Sequence, residues 1–146
     1  MRVRDIIAKF ESRDPHAIRK ATWVILRSND RDAFEELREH VPRLRAILAS
    51  VDMGGMVRKN ADDTELAFRY VEDTCRGVCR CRLYEGQNFF NPETEAGYGF
   101  VHVLKSEVMR DLHEQHFLVQ CDGCSRMLKV REVHGWHVPW YEWMDA

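Results

Sequence analysis

Two tight cysteine pairs, far apart in the chain, constrain this sequence more than any other feature. RGVCRCRLYEG carries Cys79 and Cys81, QCDGCSRMLKV carries Cys121 and Cys124, and together they account for four of the five cysteines. Read as part of a strand, Cys-x-Cys places both thiols on one face, and a tight Asp122-Gly123 turn brings both sulfurs of Cys-x-x-Cys round to one point. Four thiolates meeting at a point form the ligand set of a closed tetrahedral zinc site. Cys79, Cys81, Cys121 and Cys124 are therefore the expected ligands of a structural zinc, with amides of the Asp122-Gly123 turn expected to steady the sulfurs. Two rival readings stay open. The thiols could pack as small hydrophobes, or they could form redox disulfides, although Cys121-x-x-Cys124 lacks the helix N-terminus that lowers a thiol pKa. Cys75, on the last turn of a predicted helix, reads as packing.

The hydropathy pattern divides the chain at these cysteines. Before them the period is helical: Ile6, Ile7 and Phe10, then Ile18, Ala21, Val24 and Ile25, then Phe34, Leu37 and Val41, then Leu44, Ile47, Leu48 and Val51, then Leu66, Ala67, Tyr70 and Val71. Asp14-Pro15 reads as a cap followed by proline at the first helical position, and Ser28-Asn29-Asp30 as a stop and a new cap. Gly54-Gly55 is expected to end one helix, Asn60 to cap the next and Gly77 to close it. From Val78 the period becomes two: Val78 to Tyr84, FVHVLK, HFLVQC and MLKVREV read as strands, GQNFFNPETEAGYG as a loop, and WHVPWYEWM as an edge segment. The expected fold is α+β, with antiparallel helical hairpins over residues 1–77, HEAT-like or an irregular bundle, followed by a small antiparallel zinc-ribbon-like sheet over 78–146. A sheet this small would be marginal alone, which is a physical motive for a metal.

Charge and motif content narrow the function. Residues 1–77 hold 15 Lys/Arg against 14 Asp/Glu and residues 78–146 hold 7 against 10, so neither half is an evident trap for phosphate. MRVRDIIAKFESRD has only Ile6 to Ala8 as an unbroken apolar run, so neither a signal peptide nor a membrane span is expected and the expected compartment is the cytoplasm. No nucleophile elbow, phosphate loop or dinucleotide fingerprint occurs. LHEQH spaces His113 and His116 three apart, where zinc-protease chemistry needs four. A closed four-thiolate site offers no position for water, so a non-enzymatic protein is expected. Asp62, Asp63, Glu65, Glu72 and Asp73 form either a solvated helix face or an acidic surface for a basic partner. Trp136, Trp140, Tyr141 and Trp143 either cover the sheet or anchor a partner.

The order of these features, helical pairs, Gly54-Gly55-x-x-Arg58-x-Asn60, Cys79-x-Cys81, Cys121-x-x-Cys124 and a Trp/Tyr-rich end, resembles small bacterial immunity proteins of polymorphic toxin or contact-dependent inhibition systems. That resemblance implies stoichiometric binding of a cognate toxin domain, with the acidic helix Asp62 to Asp73, the loop Asn88 to Glu95 and the terminal aromatics as candidate contacts and no role for a membrane. The alternative is a zinc-ribbon module for nucleic acid or regulation. It would need Arg76, Arg80, Arg82, Arg126, Lys129 and Arg131 on one face, against an acidic excess in that half. A third reading is a hydrolase using the aromatic pocket.

Overall fold

The computed structural model describes residues 1–135 and 137–146, so Trp136 lies outside the described residues. The fold is α+β, with helices followed by a four-stranded antiparallel sheet. The chain forms two compact units, Met1–Val78 and Cys79–Ala146.

The first unit consists of α1 (Val3–Glu11), α2 (Pro15–Leu26), α3 (Arg31–Arg38), α4 (Val41–Ala49) and α5 (Asn60–Cys75). Its helix starts follow local chemistry: the Asp14 carboxylate accepts from the His16 amide and the Asp30 carboxylate from the Ala33 amide. α5 packs against α2, α3 and α4, while α1 touches α2, α3 and α4, so each face is shared between helices distant in sequence, as in an irregular bundle. Phe10, Ile18, Ile25, Phe34, Leu37, Leu44, Phe68 and Val71 are completely buried. Phe10 meets Phe68 at 5.5 Å between ring centroids, and Phe34 meets Tyr70 edge-on at 5.1 Å. Across the same interior the Thr22 and Thr64 hydroxyls share a 2.8 Å hydrogen bond, so the two buried polar groups satisfy each other.

Two boundaries differ from the sequence reading. α4 stops at Ala49 with Ser50 as its cap, well before Gly54-Gly55. The glycines instead shape the return loop: the Asn60 amide donates to Gly54 O at 3.0 Å, and a Cβ on Gly55 would lie 2.2 Å from Arg58 O. Asn60 is the first residue of α5 rather than its cap, and its side-chain amide donates to Met53 O at 2.9 Å. Gly77 closes α5 as expected, at φ +83°, with the Val78 amide returning to Asp73 O.

In the second unit a 3-10 helix (Arg80–Tyr84) and α6 (Pro92–Gly97) precede β1 (Val101–Met109), β2 (Glu114–Cys121), β3 (Met127–His134) and β4 (Pro139–Asp145), which pair antiparallel in that order. Register sets Phe117 beside Val130 and Val130 beside Trp143, and Val119 beside Leu128, giving the sheet one apolar face. The segment preceding β1 covers it. Tyr84 stacks on Trp143 at 4.0 Å, the Trp143 indole donates to Phe90 O at 2.9 Å, and the Tyr141 amide donates to Asn88 O at 2.9 Å.

The strand expected over Val78 to Tyr84 is therefore a correction. Cys81, Leu83 and Tyr84 all turn inward, which strict alternation forbids and a 3-10 turn allows. Arg80 also points inward, to Glu95: the guanidinium lies 2.7 Å from the carboxylate, with the two side chains 9% and 7% exposed. The Tyr84 hydroxyl donates to the same carboxylate at 2.6 Å. Removing one partner of a buried pair strands the other, so Glu95→Ala is expected to destabilise this unit by about 3–5 kcal/mol. Urea unfolding followed by near-UV circular dichroism measures it. Glu142→Ala, which breaks the solvent-open pair with Arg131, should leave the midpoint nearly unchanged.

Candidate metal centre

The second cysteine pair is set by a hairpin. β2 ends at Cys121 and β3 begins at Met127, and the residues between them fold into a tip closed by two backbone bonds, Cys121 N–H to Arg126 O and Ser125 N–H to Cys121 O, each 2.9 Å. Asp122 is tied back by its amide to Phe100 O at 3.0 Å, and its carboxylate bonds His102 Nδ1. The first pair comes from the start of the 3-10 helix, where Cys79 caps it and Cys81 lies inside its first turn. The buried Arg80–Glu95 pair between them anchors this segment.

These elements bring the four sulfurs together. Cys79 Sγ lies 3.5 Å from Cys121 Sγ and Cys81 Sγ lies 3.6 Å from Cys124 Sγ, with all four within 4.8 Å of one another. A disulfide would need about 2.05 Å, and all five cysteines are free thiols. A tetrahedron of sulfurs around an ion with bonds of about 2.3 Å has edges of about 3.8 Å. The observed spacing fits that solid, and no other group of His, Cys, Asp and Glu among the described residues converges in this way. The donor set suits a thiophilic tetrahedral ion and closes its coordination.

The surroundings act on the thiols unequally. Burial pushes the Cys81 thiol well up, with the neighbouring sulfurs adding to it, and burial likewise raises Cys79. Cys124 is held below its ordinary value, first by the Arg126 amide that donates to it. The Cys81 amide donates to Cys79 in the same way, so each pair contributes one sulfur held by an amide two residues on. Of the turn amides expected from the sequence to steady the sulfurs, that of Asp122 goes instead to Phe100 O. The Arg126 side chain adds a positive group 3.9 Å from Cys81 Sγ while pairing with Asp145 and Glu85. Cys81 and Cys121 are buried, Cys79 is half-buried and Cys124 is exposed, and protonation or coordination to a cation are the two ways of limiting the charge on the inner sulfurs.

Gly123 has a steric role. A Cβ there would lie 3.0 Å from Cys79 Sγ and 3.8 Å from Cys121 Sγ, so a larger residue at the hairpin tip would have to displace the Cys79 sulfur by a few tenths of an ångström.

The other candidate residues fall elsewhere. Cys75 is half-buried at the end of α5, its thiol raised by burial and then by Glu35, and it takes no part in the cluster. His113 adopts a left-handed conformation at φ 53° after the short 3-10 helix Arg110–Leu112, while His116 Nε2 bonds the Glu114 carboxylate at 2.7 Å. Four of the five acidic positions on α5 are answered by arginines of their own unit. Arg45 takes Glu65 at 2.6 Å and Glu72 at 2.5 Å, Arg58 takes Asp63, and Arg76 takes Asp73. Asp62 is exposed and has no ion pair among the described residues. Tyr141 is buried and Trp143 is stacked inside the second unit, whereas Trp140 is 56% exposed. Of the cations that a ribbon-borne nucleic-acid surface would need, Arg80, Arg82, Arg126 and Arg131 are each ion-paired to carboxylates of their own unit.

Comparison with known proteins returned no matching family model, no matching curated protein and no matching solved structure.

Cobalt(II), whose thiolate charge-transfer bands report sulfur ligation, gives the direct measurement. Cys121→Ser should abolish those bands and loosen the second unit, whereas Cys75→Ser should leave them intact. Gly123→Ala should weaken metal retention against a competing chelator by at least about tenfold, the loss expected when a supporting contact of a metal site is disturbed. Binding must displace protons from the raised thiols, so affinity should fall as pH falls from 7.5 to 5.5 in the same titration.

Proposed function

We propose that this is a non-catalytic binding protein whose second unit is clamped by one structural zinc, and that it acts as an immunity protein neutralising a cognate bacterial toxin domain. The observation that carries the non-catalytic reading is the convergence of four protein sulfurs: a four-thiolate zinc has no vacant position at which water or substrate could be activated. The metal then contributes folding free energy to a small unit. The toxin as partner class rests on the resemblance described above. Within that reading, Asp62 on α5 and Trp140 on β4 are the contacts best placed to reach a partner, because the remaining acidic groups are already bound by arginines, Tyr141 is buried and the half-buried Trp143 is engaged with Tyr84 and Phe90. Occlusion by an exposed tryptophan with a polar surround is a common basis of tight protein recognition.

A second reading draws on a different surface. Lys9, His16, Arg19, Lys20 and Arg27 line one hollow of about 510 Å³ on the first unit, around Trp23 and without a carboxylate. Cations flanking an indole suit single-stranded nucleic acid, whose bases stack while its phosphates are neutralised. This moves the nucleic-acid alternative away from the cysteine-bearing unit and onto α1 and α2.

Two measurements decide between these. Elemental analysis of the purified protein is expected to find one zinc per chain, and a zinc content near zero would remove the clamp. Co-expression with the product of the neighbouring reading frame is expected to yield a stoichiometric complex weakened by Trp140→Ala. Recovery of nucleic acid instead, with salt-dependent binding lost in Arg19→Glu, would favour the second reading.

A further inference from the structure

The two edges of the sheet are treated differently. β4 opens with Pro139, which has no amide to offer, and its Tyr141 amide is already taken by Asn88 O. β1 is nine residues long and lies at the opposite edge. Among the described residues no backbone bond other than those to β2 reaches it. It carries exposed apolar groups, Leu104 at 53% and Val108 at 64%. A long, uncovered, partly apolar edge is a template for another strand.

The sequence of this edge is complementary to itself. We propose that β1 pairs antiparallel with β1 of a second copy of this chain, about a two-fold axis at Ser106, to give one continuous eight-stranded sheet. In that register Lys105 of each copy stands opposite Glu107 of the other, twice over. Lys105 and Glu107 project from the same sheet face, since they stand opposite Leu118 and His116 on β2. Opposite charges directly across a strand pair attract, and like charges repel. The neighbouring symmetric registers are excluded by the same residues: a two-fold at Lys105 would oppose lysine to lysine, and one at Glu107 would oppose glutamate to glutamate. The irregularity between Val103 and Lys105 limits the pairing to the stretch beyond it, which is the stretch holding these groups. Such an interface is isologous and closes on itself, so it gives a dimer and no fibre.

Charge reversal tests the proposal by sedimentation equilibrium over a range of concentrations, with circular dichroism confirming the fold of each variant. The unaltered chain is expected to dimerise reversibly. Lys105→Glu alone, and Glu107→Lys alone, should each raise the dissociation constant by about tenfold or more. The double reversal Lys105→Glu/Glu107→Lys should dimerise like the parent. An equimolar mixture of the two single variants should form a heterodimer, because every cross-strand pair is then of opposite sign. A parent chain that stays monomeric throughout, a dimer indifferent to the single reversals, or a folded double reversal that stays monomeric would each overturn the proposal.

Discussion

Four sulfurs within 4.8 Å of one another, two of them on buried cysteines, are an unusual object to hold together, and the second unit is organised around them. Thiolates at that spacing repel, and thiols there offer only weak hydrogen bonds, so the cluster has no strong cohesion of its own. Everything near it supplies what the sulfurs lack: amides from Cys81 and Arg126, a guanidinium from Arg126, and a glycine at the hairpin tip. The buried Arg80–Glu95 pair is part of the same arrangement. It fixes the residue between two of the sulfurs and uses the Tyr84 hydroxyl to tie that residue to the aromatic layer under the sheet.

Much of this was legible in the sequence, and the failures have identifiable physical causes. The helical segments, their Asp14 and Asp30 caps and the three strands from HFLVQC onward followed from period and capping. The four sulfurs followed from spacing alone. The segment Val78 to Tyr84 was misread because alternation along it is real in composition, yet three inward groups and a buried arginine select a 3-10 turn. Helix α6 was missed inside an apparent loop although Asn91-Pro92 repeats the cap-plus-proline signature of Asp14-Pro15, with the Asn91 side chain accepting from the Glu93 amide. Its six residues were too few to show a helical period. Arg80 opposite Glu95 is a contact across a turn of the chain that no local pattern encodes.

The charges carry a separate lesson. A run of carboxylates on α5 suggests an acidic surface when counted along the sequence, but Arg45, Arg58 and Arg76 come from its own unit to neutralise most of it. The cations of Lys9, Arg19 and Lys20, inconspicuous in a segment of balanced composition, gather around Trp23 with no carboxylate in their hollow. Formal charge therefore predicts little about the field a partner meets, because the folded chain decides which charges cancel.

The hairpin tip bears on the order in which the unit assembles. Cys121 and Cys124 lie on one local turn, whereas Cys79 must arrive from 42 positions earlier in the chain. Contacts within a short hairpin form at little entropic cost, and closure of the long loop comes at a greater one. An ion captured first by the tip would hold two ligands in place and make the arrival of the other two nearly intramolecular in effect. The site would then serve as a late latch, completing a sheet whose strands have already found their register.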